Sequence, residues 1–483
     1  MYLGIDVGTS SVKAVLIDDN ERVFATESTA LEVSRPRPGW SEQHPSIWWQ
    51  ACEALFEKLA AEQGGLLGAV RGIGLSGQMH GATLLGDDDE PLRPCILWDD
   101  GRAAEEAAEL SAASERITGN LAMPGFTAPK LLWVKRHEPE TFAKVKTVLL
   151  PKDTVRLQLT GDKASDMSDS AGTLWMATGE RAWSDEMLAL TDLDRGAMPR
   201  LHEGSEATGR LRPRLAARWG MSPDVVVAAG GGDNAASGCG VGAVVPGTGF
   251  ISIGTSGVIF VATDDYDPNP AGAVHTFCHA VPGTWHQMGV SLSAAGVLDW
   301  LAGVLKRTPA ALVDELSANP SGPSRLRFLP YLSGERTPHN DVAVRAAFVG
   351  LDHGHGRRDL TQAVLEGVAF AFKDCFDVLT APLAAPGRLV AVGGGSRSPY
   401  WLAVIATILD LPIAVPVAGD FGAAFGAARL GLIAATGADP FVVCAPPEIR
   451  ETIDPIKALS QAYAEAHADY RELYPAIKEA MVL

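Results

Sequence analysis

The sequence predicts an α/β protein of two related lobes, arisen by internal duplication, with a ligand cleft between them. Two turns of one kind recur far apart: Gly4-Ile5-Asp6-Val7-Gly8-Thr9-Ser10-Ser11-Val12-Lys13 and Ser252-Ile253-Gly254-Thr255-Ser256-Gly257-Val258. Each reads as strand, tight turn, strand, with small hydroxyl residues at the tip. Each is followed by an apolar strand that runs into three glycines. Val225–Ala229 leads into Gly230-Gly231-Gly232-Asp233-Asn234, and Leu389–Val392 leads into Gly393-Gly394-Gly395-Ser396-Arg397-Ser398. Finally, 483 residues at 47% hydrophobic content are enough for two or three domains with large cores.

The turns themselves carry chemistry. Their backbone N–H groups and hydroxyls converge with no bulky side chain in the way, which suits a polyphosphate oxygen. One such turn alone reads more readily as an ordinary hairpin; the second copy favours the phosphate reading. The interval from Gly8 to Gly230 exceeds that from Gly254 to Gly393, so the first lobe carries the extra chain and is expected to hold the second substrate.

The remaining elements follow in order. Pro36–Trp40 is a loop, and His44-Pro45 starts a helix through about Glu62, with Ile47, Cys52, Leu55, Phe56 and Leu59 on its buried side. Arg71–Gly77 reads as a strand ending in Gln78-Met79-His80-Gly81, and Cys95–Trp98 as a short strand entering Asp99-Asp100-Gly101-Arg102, a turn expected to face a polar ligand. Residues from about 103 to 213 mix helices and polar loops. Near the C-terminus, Ile456, Leu459, Tyr463, His467, Tyr470 and Tyr474 recur at helical spacing and predict a packed helix. The predicted units are 1–245 and 246–440 as the two lobes and 441–483 as a helical extension.

Composition narrows the class. A formal net charge of −18 argues against nucleic-acid and anionic-membrane partners, and no apolar run is long enough for a span. The chain opens on a strand, which leaves no room for a signal peptide. Its six scattered cysteines lack a CxxC pair and fit a reducing, cytoplasmic setting. There is no GxxxxGK[ST], GxSxG or HExxH motif, and no GxGxxG opens a helix after a strand, so a nucleotide would be held by hairpins rather than by a Walker loop.

Several stretches together resemble the FGGY carbohydrate kinases over nearly the whole chain. Gly125–Trp133 is similar to the family's first signature. Ala347–Leu351, with Asp359-Leu360 and Ala363–Gly367, is similar to its second. Gln78–Gly81, Leu149–Asp153, Ser165–Asp169 and Tyr331–Pro338 resemble stretches of its pentulose-phosphorylating members. The Phe-Gly-Gly-Tyr string is absent, and the stretch Asp420–Ala428 departs from a glutamate-bearing pattern common in the family.

The resemblance implies two actin-like (ribonuclease-H-like) lobes with ATP and Mg²⁺ between them, and transfer of the γ-phosphoryl group to D-xylulose. The alternatives are a kinase for another pentulose or polyol and an actin-like ATPase of chaperone type. Asp233 matches the catalytic base; from the residues alone it reads equally as a helix N-cap. Asp6, at the end of an apolar strand, matches a carboxylate organising Mg²⁺, with turn capping as the alternative. Thr9, Ser10, Gly254, Thr255 and Ser256 are expected at the phosphates through N–H or hydroxyl groups, with Lys13 adding charge or lying exposed on its strand. Met79, His80, Asp233 and Asn234 are expected at the sugar, Trp40 and Trp98 as its walls, and Gly393, Gly394 and Ser398 at the adenosine. A homodimer remains open.

Overall fold

The computed structural model describes residues 1–381, 385–417 and 422–481. In the first lobe, Tyr2–Val7 (β1), Ser11–Ile17 (β2) and Val23–Ala30 (β3) form an antiparallel meander, as alternating apolar residues and short polar turns require. Helix α1 (Pro45–Leu67) begins at N-cap His44, with Pro45 at its first turn, and continues past the expected end at Glu62. Cys52, Leu55, Phe56 and Leu59 are buried by it, whereas Ile47 is only half-buried. Gly72–Gly77 (β4) pairs parallel to β1. Ala207–Arg210 (β5) and Val226–Ala228 (β6) extend the sheet to the order β5-β6-β4-β1-β2-β3, and Gly231-Gly232 adds a short parallel pairing to the end of β4. Helix α2 (Asp233–Val241) follows β6.

The second lobe repeats this plan. Gly249–Ile253 (β7), Gly257–Thr263 (β8), His275–Cys278 (β9), Trp285–Ser291 (β10), Leu389–Val392 (β11), Ile413–Pro416 (β12) and Ile449–Ile453 (β13) form a sheet ordered β9-β10-β8-β7-β11-β12-β13. Strands β1-β2-β3 correspond to β7-β8-β10, and the parallel strands β4 and β6 to β11 and β12. Even the antiparallel edge strands β5 and β13 agree. Two actin-like lobes therefore make up the fold.

This topology corrects the pairing of the glycine runs. Gly230–Gly232 follows β6, the counterpart of β12, whereas Gly393–Gly395 follows β11, the counterpart of β4. The counterpart of Gly393–Gly395 is the turn Gln78–Gly81 after β4. The counterpart of Gly230–Gly232 lies beyond β12, where residues 418–421, including the anticipated Asp420 and Phe421, fall outside the described residues. The runs look alike because both turns need left-handed backbone and close approach. Gly230 has φ +85 and Gly393 φ +87, and a Cβ at either would strike a carbonyl of the lobe's own sheet.

The lobes are joined by helix crossing. Between β10 and β11 runs helix α3 (Arg357–Thr380); Pro399–Leu409 (α4) joins β11 to β12. Ala423–Thr436 (α5) then leaves the second lobe and lies on the first. Its face of Ala424, Ala427, Ala428 and Gly431 meets Gly4, Gly72 and Gly74 of the first sheet. A Cβ on Gly74 would fall 1.7 Å from the Ala427 carbonyl oxygen, and one on Gly426 would fall 1.7 Å from that of Ala236 in α2. The extra chain of the first lobe lies between β4 and β6. The C-terminal segment is a strand, β13, followed by Lys457–Ala480 (α6). Helix α6 buries Tyr463, His467 and Tyr470, and the Tyr470 hydroxyl lies 2.9 Å from that of Tyr331.

Candidate active site

The cleft is lined by the ends of strands, where backbone turns leave groups free. Asp6, near the end of β1, stands opposite Lys13 in the hairpin and opposite Ser76 in β4. Burial raises its carboxyl to about 6, while the nearby Ser76 hydroxyl and Lys13 ammonium hold it back. Its Oδ1 is buried without a hydrogen-bond partner among the described residues. That orphaned carboxylate oxygen, beside phosphate-type turns, fits the chemistry of a hard divalent cation.

Asp233 opens α2 in its first turn; the cap position is Gly232, so the N-cap alternative for Asp233 is not what forms. Its Oδ1 accepts the Asn234 backbone N–H at 2.7 Å and the Asn234 side-chain amide at 2.9 Å. Among the described residues no hydrogen bond reaches Oδ2. Burial, and then the negative charge of Asp6, push the Asp233 carboxyl up to about 7. The charge of Asp6 thus reaches Asp233, which puts the two carboxylates in one electrostatic site.

The two turns differ in what they offer. Thr255 is exposed and Ser256 half-buried, and neither hydroxyl has a protein partner among the described residues. Their turn is fixed by backbone bonds from the start of the helix Ala295–Leu305: Ala295 N–H to Gly254 O at 2.7 Å and Ala294 N–H to Thr255 O at 3.0 Å. In the first turn Ser10 is exposed, but the Thr9 hydroxyl is already engaged. It donates to Gln78 Oε1 at 3.0 Å and accepts from the Trp98 indole at 2.9 Å. With that hydroxyl engaged, the backbone N–H groups of the turn and Ser10 are the donors still available there.

On the other flank, a cavity of ≈ 860 Å³ is lined by Gly394, Gly395, Arg397, Leu298, Val313 and Tyr400 among others. It adjoins the second turn through Ala295 and contains neither Asp6 nor Asp233, an arrangement with room for a nucleoside at one end. Ser398 lines it too, but its Oγ caps α4 by accepting from Trp401 N–H at 3.2 Å.

Comparison with known proteins agrees with this geometry. The FGGY family of carbohydrate kinases matches through its N-terminal domain over residues 1–240 and its C-terminal domain over residues 249–435. The chain belongs to this family. It is 51% identical to a xylulose kinase of Klebsiella pneumoniae, over 90% of each chain, and 48% identical to that of Escherichia coli K12, over 98% of each. A crystal structure of a xyloylose kinase from Brucella ovis is 57% identical and superimposes with a TM-score of 0.97 over 99% of each chain. The enzyme is thus a carbohydrate kinase, using ATP with Mg²⁺.

In this FGGY kinase the residues expected at the sugar pack against the insertion. His80 takes φ +70, unusual for a residue with a Cβ. Its carbonyl is pinned by the Thr127 hydroxyl at 3.0 Å and Lys130 Nζ at 2.9 Å. Its ring stacks on Phe126, centroids 4.2 Å apart, and Nδ1 lies 2.7 Å from Gly172 O. Burial drives the imidazole down to about 3, so it is neutral; Nδ1–H donates to the carbonyl and Nε2 is an acceptor. Met79 packs under the Gly232 turn that carries Asp233.

The other residues expected near a ligand have protein partners. Asp100 and Arg102 pair with each other through 2.9 and 2.7 Å bonds, and Asp100 also accepts Ser41 N–H at 2.6 Å. Arg102 sits 3.6 Å over the Trp40 ring, so an ion pair and a cation–π contact hold this cluster together. Trp98 is committed to Thr9.

Sequence reasoning passed over a buried charge cluster beneath Asp233. Lys152 Nζ lies 2.6 Å from Asp153 and 2.7 Å from Asp166, and Asp169 completes the group, all with fully buried side chains. Burial raises the Asp169 carboxyl well above its usual range. Arg156 binds the carbonyls of Ala228 and Ala229, and Ser168 Oγ, tied to Asp166, accepts Gly232 N–H at 3.1 Å. The turn before Asp233 is thus bolted to the insertion. The signal was visible as Leu149–Asp153 and Ser165–Asp169, but no local pattern shows that these stretches meet. Arg336 was also overlooked; its Nη1 lies 3.5 Å from His275 Nε2, within electrostatic reach of His80.

Proposed function

We propose that this kinase transfers the γ-phosphoryl group of ATP to D-xylulose, giving D-xylulose 5-phosphate and ADP, with Asp233 as general base. The observation that carries the base assignment is the Asp6–Asp233 pair: Asp6 Oδ1 lacks a hydrogen-bond partner among the described residues, the bonds to the Asp233 carboxylate all fall on its Oδ1, and burial holds the Asp233 carboxyl near neutrality. A base with that affinity takes the proton from a sugar hydroxyl effectively at physiological pH. The xylulose kinase names of relatives at about half identity support the choice of sugar.

In this reading the sugar lies between Asp233 and the Met79–His80 strand end, with Asn234 fixing the carboxylate rotamer. The hydroxyl O–H bond breaks toward Asp233 Oδ2 as its oxygen forms the bond to phosphorus, and the bond from the γ-phosphorus to the ADP oxygen breaks in line. The turns at Ser10 and at Gly254–Ser256 donate N–H and hydroxyl groups to phosphate oxygens, with Lys13 near the first. Gly393 and Gly394 let the nucleoside approach their backbone. Asp6 would hold Mg²⁺, which supplies positive charge to the phosphates when bound.

Residues 1–245 then serve the sugar, 246–440 the nucleotide, and 441–483 braces the second lobe. No helix among the described residues is long and apolar enough to cross a membrane. A cytoplasmic homodimer is the setting we expect, and light scattering of the purified protein checks the assembly.

The test is coupled ADP release with Mg²⁺-ATP against D-xylulose, D-ribulose, L-ribulose, glycerol and gluconate, beside Asp233→Asn. Turnover selective for D-xylulose and lost in the variant is expected. Preference for another sugar overturns the substrate, and an active Asp233→Asn overturns the base.

A further inference from the structure

The Gln78 amide joins the two halves of the chemistry. Gln78 is buried at the end of β4, immediately before Met79 and His80. Its backbone N–H donates to Val7 O at 2.9 Å. Its Oε1 accepts the Thr9 hydroxyl, while Nε2 faces Gln43 Oε1 at 3.1 Å and Gly8 O at 3.4 Å. Gln43 continues the net: it accepts the Trp48 indole at 2.9 Å and donates to Thr9 O at 2.8 Å. Trp98, from the insertion, closes it on Thr9 Oγ1.

We propose that Gln78 is a positioning residue for phosphoryl transfer, and that the Thr9 hydroxyl is the far end of its tether rather than a phosphate ligand. The physical case is saturation and rigidity. A hydroxyl has one proton, and that of Thr9 goes to Gln78. The carbonyls of Gly8 and Thr9 are held by amides of Gln78 and Gln43, so the peptide planes that aim the Thr9 and Ser10 N–H groups are set by side chains outside the hairpin. Because His80 is itself pinned by Thr127 and Lys130, the tether fixes the phosphate turn relative to the sugar-contacting strand end. Transfer needs that relative position to within a fraction of an ångström.

This rests on the kinase reading, which wild-type turnover on the sugar panel tests separately. The tether is tested by a double-mutant cycle, Thr9→Val with Gln78→Leu, on the best sugar of that panel. Each single change is expected to lower kcat about tenfold, from the loss of one or two buried hydrogen bonds, with the sugar KM within about twofold. The double variant is expected to be no slower than either single one, and Thr9→Ser to restore kcat. If Thr9→Val costs as much in the Gln78→Leu background as alone, the hydroxyl contacts phosphate and the proposal falls. If kcat holds in both singles, it falls as well. Should Gln78→Leu not fold, Trp98→Phe in place of it removes the other Thr9 contact, and the same non-additivity decides.

Discussion

Asp6 and Asp233 show how one residue's surroundings set both chemistry and stability. With the Asp233 carboxyl at about 7 in the free enzyme, the base is mostly ionised only above that pH, so kcat/KM for the sugar should rise through about pH 7 and level off. A flat profile from pH 5.5 to 8.5 would argue against Asp233 as base. Asp233→Asn should lower kcat by roughly 10²–10⁴-fold while calorimetry still shows Mg²⁺-ATP binding. The same shifts govern folding. Both carboxyls bind protons more tightly in the folded chain than at their ordinary value of 3.8, so protonation favours the folded form. Stability should therefore fall as pH rises from about 4 through the folded values of about 6 and 7, and stay lowered above. At pH 8 without Mg²⁺ or nucleotide, Asp233→Asn should melt a few degrees above the wild type. A lower melting temperature would mean that the carboxylate is stabilised by contacts stronger than its burial.

Helix α5 makes the corresponding case for an element. It is assigned by chain order to the second lobe, yet its small-residue face rests on the glycines of β1 and β4. Backbone meets backbone there, so no side chain can yield to a new methyl group. Gly74→Ala should destabilise by about 3 kcal/mol or more, read as a melting temperature many degrees lower. Ala at Gly394, where a Cβ meets nothing within 4 Å, should leave stability nearly unchanged. Equal effects at both positions would show that α5 does not hold the lobes together as described.

For the whole molecule, the helices α2 and α5 cross at the junction of the lobes, while the phosphate turns and Asp233 lie at strand ends around the cleft. An activated phosphate there must be shielded from water, and closure of one lobe on the other is the available route. Small-angle scattering should show a smaller radius of gyration when D-xylulose is added with a non-hydrolysable ATP analogue. An unchanged radius would mean that the cleft is preformed in its working shape.

Much of this was legible in the chain. Strand, turn and glycine signals are local, because backbone sterics act over a few residues; they placed β1-β2, β7-β8 and the starts of α2 and α4 correctly. They also put Asp6, Asp233, Asn234 and His80 at turns or strand ends, and family resemblance assigned them roles. What the tertiary structure decided was partnership. Thr9 meets Gln78 and Trp98 across 69 and 89 positions, and Lys152 meets Asp166 and Asp169 beneath a turn formed much later in the chain. Hydrogen bonds and ion pairs of that kind are set by how layers stack, which no short pattern encodes. For the same reason two glycine runs with the same local geometry proved to occupy different strands of their lobes: the glycine requirement is local, but a strand's place in a sheet is set by its neighbours in space.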